Sequence, residues 1–286
     1  MSDTPTAAYH HFNDRGPDET TDGAQHWYAP AVNFVVSTSK VEAGARLVTE
    51  GNPDEHCLVL PTGASSVRVT TRSDGAGDEE VSADENTLVV IPPGDSTIEV
   101  RTAGYVHRVF SNRTPTYART KGFAAPQAPL AAPVAELVPW PDPVGGFKLR
   151  RYALADYQHL EGVQRIFRTT NMMIKLAPAK DHRRSPSELT PHNHDDFEQA
   201  SLVVHGRWIH HVRRLWGRDS TQWHPDEHIT VGSPSVTIMS PPDIHTSQSI
   251  GENLNQLIDV FAPPRVDFSL AGRVTNADEY PMPEGL

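Results

Sequence analysis

The stretch that decides this fold is Thr190-Pro191-His192-Asn193-His194-Asp195-Asp196-Phe197-Glu198-Gln199, which an apolar run follows as far as Gly206. Alternate side chains of a β-strand point the same way, so we expect His192 and His194 to enter one cavity. First-row divalent metals bind imidazoles together with one harder ligand. A third histidine from a distant strand would close such a site and leave room for water or substrate. The pattern therefore predicts a metal site, and His245 is the candidate for the remote ligand.

The spacing of these residues resembles the first sequence motif of the cupin family. The run contains His-x-His, four further residues, Gln199, six residues and Gly206. A later segment, Ser240-Pro241-Pro242-Asp243-Ile244-His245, looks like the second cupin motif, usually written Pro-x-Gly-x-x-His. The resemblance implies that one divalent metal ion lies inside a small β-barrel, where its ligands are His192, His194, Gln199 and His245.

The chain departs from the cupin pattern at two positions. Cupins most often have Glu where this chain has Gln199, and Gly where it has Pro242. Glu198 is the alternative fourth ligand, because it shares strand parity with the two nearby histidines. The three residues before it are typical of a turn that breaks this parity, and the distance to Gly206 favours Gln199. A neutral amide would leave the metal ion its full charge, as a stronger Lewis acid.

The composition of the chain restricts its partners and its surroundings. A net charge of -11 on 286 residues argues against nucleic acid and anionic membranes, and favours a small-molecule substrate. The single cysteine, Cys57, excludes an intramolecular disulfide and suits a reducing cytoplasm. The first 30 residues have no apolar segment typical of a signal peptide, and no apolar run reaches the ~20 residues that cross a bilayer. We expect a cytoplasmic location.

Short β-branched runs separated by Gly, Pro and Asp recur from Val32 onward, a pattern typical of an antiparallel sandwich or barrel. The chain also contains an internal repeat. Glu55-His56, six residues and Gly63 echo Glu198-Gln199, six residues and Gly206, at an offset of 143 residues. We therefore predict an all-β fold of two tandem cupin barrels, each a double-stranded β-helix or jelly roll.

The first copy of the repeat lacks the metal-binding side chains. Thr49 and Gly51 stand where the second copy has His192 and His194, and Ser96 or Thr97 stands in place of His245. None of these residues replaces an imidazole, so we expect the first barrel to be free of metal. We predict an arm over 1–30, a first barrel over 31–120, an Ala/Pro-rich linker over 121–146, a second barrel over 147–270 and a tail over 271–286.

Two adjacent histidines on the strand after Gly206 are candidate catalytic residues. Only one of His210 and His211 can face the barrel interior, because neighbouring strand residues alternate. Whichever does is a candidate general base near the metal. The sequence leaves the choice between them open.

The resemblance implies three functions. The first is a non-haem Fe(II) dioxygenase acting on a small oxygenated or anionic metabolite, as in two-barrel cupins that cleave rings. The second is an isomerase, lyase or hydrolase of the sugar-acid type that uses Zn, Mn or Ni as a Lewis acid. The third is a bicupin that binds a small ligand without catalysis. We favour the dioxygenase by a narrow margin. We also expect a homodimer, since double-barrel cupins commonly pair and the arm carries aromatic residues.

Overall fold

The computed structural model describes residues 4–73, 77–160 and 165–286. The first three residues of the predicted arm, and residues 161–164 of the predicted second barrel, lie outside the described residues. The strands of the first half are β1 (Ala8–His11), β2 (Glu19–Thr21), β3 (Ala24–Pro30), β4 (Phe34–Val41), β5 (Arg46–Asn52), β6 (His56–Leu60), β7 (Val67–Ser73), β8 (Gly77–Ala83), β9 (Thr87–Ile91), β10 (Gly94–Val100) and β11 (Gly104–Ser111).

The second half is also built from strands. These are β12 (Arg150–Ala153), β13 (Arg165–Arg168), β14 (Met173–Leu176), β15 (Glu198–His205), β16 (Arg207–Arg213), β17 (Glu227–Gly232), β18 (Ser235–Met239), β19 (Ile244–Ser249) and β20 (Gln256–Ala262). The described α-helices are short, α1 (Pro115–Thr120) and α2 (Val266–Leu270). Short 3-10 turns lie at Phe12–Asp14, Lys121–Phe123, Leu154–Tyr157 and Ser220–Gln222. The prediction of an all-β fold is confirmed.

The two halves have equivalent sheets. The large sheet of the first half has the order β12-β9-β6-β11-β4-β3-β2, and that of the second has β1-β18-β15-β20-β14-β13. A smaller sheet completes each barrel, β5-β10-β7-β8 in the first and β17-β16-β19 in the second. The matching orders confirm two tandem barrels of one architecture.

The halves exchange an edge strand. β1, at the start of the chain, pairs with β18 of the second barrel, with Ala8 opposite Ile238. β12, which follows the linker, pairs with β9 of the first barrel, with Arg150 opposite Val90. Each added strand covers an edge that would otherwise expose unpaired backbone groups. The residues between the halves, 124–149, are all described and form no helix or strand.

The largest hydrophobic cluster lies between the barrels, where the two large sheets pack face to face. It combines Val36, Val59 and Val90 of the first half with Ala200 and Leu202 of the second, among others. A second apolar cluster fills part of the first barrel's interior. The interior of the second barrel is far more polar, and this difference sets the two barrels apart in chemistry.

The segment 192–194 differs from its prediction as a strand. His192 forms an isolated backbone bridge with His245, and Asn193 and His194 lie outside any strand. Pro191 has no backbone N–H for a ladder, and a bend at 195–196 follows at once. The two imidazoles still converge, because the bridge anchors His192 beside the start of β19.

No described helix is long and apolar enough to cross a membrane.

Candidate metal centre

A backbone bridge brings the distant histidine to the first pair. The His192 N–H donates to the His245 carbonyl oxygen at 3.1 Å, and the His245 N–H donates back to His192 at 2.8 Å. His192, His194 and His245 then offer one ring nitrogen each, all within 4.8 Å of one another. Within the described part of the chain, this is the one group of three or more His, Cys, Asp or Glu that is close enough to hold a metal ion.

Backbone carbonyl groups set the tautomer of two of these imidazoles. His192 Nδ1 lies 3.0 Å from the Thr190 carbonyl oxygen, and His245 Nδ1 lies 3.0 Å from the Asp243 carbonyl oxygen. A carbonyl oxygen can only accept, so each Nδ1 carries the hydrogen and each Nε2 keeps its lone pair. Such hydrogen bonds commonly orient metal-binding histidines. Both rings are therefore prepared to bind through Nε2.

The lone pairs of Gln199 and His245 face each other. Gln199 Oε1 lies 3.3 Å from His245 Nε2. Burial is the largest cause that lowers the pKa of His245 to about 4, so the ring is neutral at neutral pH. Its one ring hydrogen is on Nδ1, which faces the Asp243 carbonyl oxygen, and Nε2 therefore has no hydrogen to donate. Two acceptors at this distance repel each other unless a cation lies between or beside them. This arrangement fits a metal ion.

His194 completes the cluster from the other side. Its side chain is buried and stacks on Phe197, with 4.2 Å between ring centroids. Burial first, and then electrostatic interactions with His245, Arg265 and His192, lower the pKa of His194 to about 2, so the ring is neutral at neutral pH. Its Nε2 is enclosed and has no hydrogen-bond partner among the described residues. A buried ring nitrogen of this kind is rare unless it binds a metal or a proton donor.

A carboxylate orients Gln199. The Gln199 side-chain Nε2 donates to Asp259 Oδ1 at 2.9 Å, and Ser201 Oγ donates to the same oxygen at 2.9 Å. Lys175 Nζ binds the other oxygen, Oδ2, at 3.1 Å. An ionised carboxylate only accepts hydrogen bonds, so the amide N–H₂ must face Asp259 and the amide oxygen must face the histidines.

Glu198, the alternative ligand, lies on the opposite face of β15. Its carboxylate accepts hydrogen bonds from the Val32 backbone N–H at 2.6 Å and from Ser240 Oγ at 3.1 Å. The side chain is fully buried, and burial raises its pKa. The structure therefore turns Glu198 toward the first half of the chain, and turns Gln199 toward the histidine cluster.

The structure separates the two candidate catalytic histidines. In the register of β16 and β19, His210 lies opposite Ser247 and Val212 lies opposite His245, so His210 shares the interior face with His245. His210 Nδ1 lies 2.8 Å from Ser247 Oγ, and burial is the main cause that lowers its pKa to about 3. His211 faces outward, where its Nδ1 lies 2.7 Å from His228 Nδ1.

A cavity of about 650 Å³ opens beside the cluster. His192, Gln199 and His245 line it on one side, with Ser247 and Asp259. The charged loop after β14 forms another part of its wall through Lys180, His182, Arg183 and Arg184. His210 itself lies buried beyond Ser247, whose hydroxyl group connects it to the cavity.

Sequence reasoning missed Asp259, Ser201, Lys175 and Ser247. Asp259 did carry a signal, because it is a lone acidic residue in the apolar run Leu257-Ile258-Asp259-Val260-Phe261. A charge within a buried strand usually has a partner or a function. The remaining residues carried no comparable signal, because Ser and Lys are common at strand positions of every kind.

Comparison with known proteins supports the fold. No protein-family model and no curated protein sequence matches this chain. Among solved structures, it is similar to the Lactobacillus farciminis oxalate decarboxylase formate complex, at 14% identity and a TM-score of 0.61, covering 96% of this chain and 93% of that one. A mutant of the Bacillus subtilis oxalate decarboxylase has 14% identity and a TM-score of 0.59, covering 91% and 78%.

These likenesses and the strand order define the class of protein. The chain has the cupin jelly-roll fold, built twice in tandem. At 14% identity these likenesses show the fold alone, because one fold can carry many different chemistries.

Proposed function

We propose that this protein is a metal-dependent enzyme that acts on a small oxygenated or anionic metabolite. Its single divalent metal ion is bound in the second barrel by His192, His194, His245 and Gln199. The observation that carries the proposal is the pair of facing acceptors, Gln199 Oε1 and His245 Nε2, at 3.3 Å beside two further imidazoles. A cation would stabilise the four lone pairs that converge here, which otherwise repel one another. The open cavity next to them can admit a substrate.

The charge of the cavity wall supports an anionic or oxygenated substrate. Arg184 is held in place by the Ser247 and Glu188 carbonyl groups and by Thr190 Oγ1. Arg183 pairs with Glu252. The exposed Lys180 forms no hydrogen bond or ion pair through its side chain with any described residue, and it lines the same cavity. It is thus available to bind a substrate carboxylate or phosphate.

The first candidate reaction is that of a non-haem Fe(II) dioxygenase. An iron ion at this site would mediate the transfer of electrons from a chelating substrate to O₂. The chain's own contribution is to keep the imidazoles neutral and oriented, and to place the Ser247 hydroxyl group and His210 where they can hold or pass a proton. Asp259 fixes the amide of Gln199 so that its oxygen points to the centre.

The second candidate is Lewis-acid or related chemistry with Mn, Zn or Ni. It is favoured by Gln199, because a neutral amide leaves the ion more positive than a glutamate would. One solved structure with a similar fold concerns the Mn(II) centres of Bacillus subtilis oxalate decarboxylase, at 14% identity and a TM-score of 0.54. That likeness recommends Mn for the reconstitution series, and oxalate as one of the substrates to test.

Metal analysis and oxygen uptake test both candidates. We expect protein purified without added metal to contain about one divalent ion per chain, and His245→Ala to contain almost none. His211→Ala, a matched change on the outer face of the same barrel, should keep the ion. Iron with substrate-dependent oxygen uptake supports the dioxygenase, whereas Mn, Zn or Ni with turnover but no oxygen uptake supports the second candidate. A protein that binds no ion under any reconstitution would overturn both.

A further inference from the structure

Arg108 lies inside the first barrel. On β11 it is opposite Ser37 of β4 and opposite Leu58 of β6, and Ser37 is in turn opposite Tyr28 of β3. Directly opposed residues of neighbouring strands share a face. Leu58 belongs to the apolar cluster that fills this barrel, so Arg108 points into the same interior.

Within the described residues, the guanidinium group of Arg108 is not paired with a carboxylate. No described residue forms a hydrogen bond or ion pair with it, and its Nε is enclosed without a partner. The Cζ atom of Arg108 lies 5.3 Å from the centroid of the Phe110 ring. The nearby carboxylate of Glu19 is already engaged by the Tyr28 hydroxyl group at 2.6 Å and by Arg119 at 3.5 Å.

Two further buried donors around this position also lack acceptors. His56 stacks on the same Phe110 ring, with centroids 4.8 Å apart. The Asn52 Nδ2 group, which donates to the Asp54 carbonyl oxygen, lies 3.4 Å from His56 Nδ1, so Nδ1 accepts and Nε2 carries the hydrogen. Among the described residues, neither His56 Nε2 nor Ser37 Oγ has a hydrogen-bond partner.

The shortage of acceptors is costly for a protein interior. A guanidinium group stays charged in proteins, so burial lowers the pKa of Arg108 without making it neutral. An unpaired buried charge destabilises a fold, and each unsatisfied buried donor adds to that cost. An anion that accepts from all three groups removes these costs together.

We propose that the interior of the first barrel binds a small carboxylate anion at Arg108, with Ser37 and His56 as further hydrogen-bond donors. The planar fork of the guanidinium group matches the two oxygens of a carboxylate. Arg108 is 6% exposed, so a bound anion would be largely shielded from water. The first barrel is thus a second ligand site in which a cationic side chain takes the place of a metal ion. This inference is independent of the metal centre.

Binding is tested in the His192→Ala/His245→Ala background with chelator present, so that no metal-bound carboxylate contributes. Thermal melting and calorimetry are carried out at pH 7.5 and constant ionic strength, with chloride, inorganic phosphate, acetate or oxalate as the probe. We expect acetate or oxalate to raise the melting temperature saturably, and chloride or phosphate to do so far less. No response to either carboxylate, or an equal response to phosphate, would overturn the proposal.

Three variants assign the response to Arg108. Arg108→Met should abolish it and, in chloride alone, should leave the protein at least as stable as its parent, because an unpaired buried charge is removed. Arg101→Met, an exposed change with the same loss of charge, should keep the full response. Arg108→Lys keeps the charge but loses the fork, and should bind carboxylate about tenfold more weakly.

The opposite outcomes exclude a ligand role. A carboxylate response that survives in Arg108→Met places the binding elsewhere. Destabilisation of Arg108→Met in chloride, together with an unchanged carboxylate response in Arg108→Lys, makes the arginine purely structural. If Arg108→Met does not fold, the binding constant of the lysine variant decides the matter.

Discussion

Gln199 Nε2 donates to Asp259 Oδ1 at 2.9 Å, and this contact turns the amide oxygen of Gln199 toward His245. An amide has one donor end and one acceptor end, so a fixed acceptor at one end determines what the other end offers. The Asp259 carboxylate itself accepts hydrogen bonds from Ser201 Oγ and Lys175 Nζ, which fix its position. Asp259 is therefore a positioning residue for the proposed metal ligand, and it brings a negative charge close to an otherwise neutral ligand set.

Replacing Asp259 should weaken metal binding although it is not itself a proposed ligand. We expect Asp259→Ala to lower the affinity for Mn(II) or Zn(II) by roughly 10–100-fold, as losses of such supporting contacts usually do. Competition with a chromophoric chelator measures this. Asp226→Ala is the matched control, because that exposed carboxylate pairs with Arg213 on the outer face of the barrel and should leave the affinity unchanged. Equal affinity in both variants would argue against the positioning role.

Gln199 and Glu198 should separate metal binding from stability. Gln199→Ala removes the amide oxygen next to His245 and should lower metal affinity with little loss of apo-protein stability. Glu198→Ala should keep the metal but lower the free energy of unfolding, because the Val32 N–H and the Ser240 hydroxyl group lose their acceptor. The cost is about 1–3 kcal/mol for each group left unsatisfied. Metal content and urea denaturation are measured on both variants. Loss of the metal in Glu198→Ala, with the metal retained in Gln199→Ala, would contradict this assignment.

His210 and His211 should differ in their effect on turnover. His210→Gln disturbs the buried partner of the Ser247 hydroxyl group at the cavity wall, so kcat should fall about tenfold or more with a smaller change in KM. His211→Gln alters an outward-facing side chain and should stay within about twofold of the parent. Steady-state kinetics on the metal-loaded protein test this. A larger loss in the His211 variant would contradict the assignment of the interior face.

Acid should destabilise the fold through buried histidines that are not proposed metal ligands. Burial is the main cause that lowers the pKa of His10 to about 4 and those of His56 and His107 to about 3. In the unfolded chain each titrates near 6.5, so below that pH the unfolded state binds protons that the native state does not. This stability is fully present above pH 6.5 and is lost as the pH falls toward 4.

Each of these histidines contributes up to about 1.4 kcal/mol per pH unit in that window. Urea denaturation of the chelated protein at pH 7.5, 6.5 and 5.5 measures the slope. His107→Gln should reduce the slope relative to the parent, while a change of the exposed His159 should not alter it. A free energy of unfolding that stays constant between pH 7 and 5 would show that these rings are protonated in the native state.

The sequence by itself determined the fold class. Alternating β-branched runs separated by Gly and Pro indicate short strands and turns, because these residue types restrict the backbone locally. The Glu55/Glu198 repeat adds that one unit occurs twice. The two cupin-like motifs also predicted that the imidazoles of His192, His194 and His245 would lie close together, and they do. The prediction of a strand through His192 and His194 was wrong, since Pro191 and the following bend prevent a ladder there.

Only the tertiary structure decided the contacts between distant strands. The exchange of β1 and β12 between barrels, the choice between His210 and His211, and the meeting of Asp259 with Gln199 all depend on register across the sheets. A shift of one residue in register turns every side chain to the other face, and nothing local to a strand fixes that register. The same holds for Arg108, because the strands packed around it determine whether any described residue pairs with its charge.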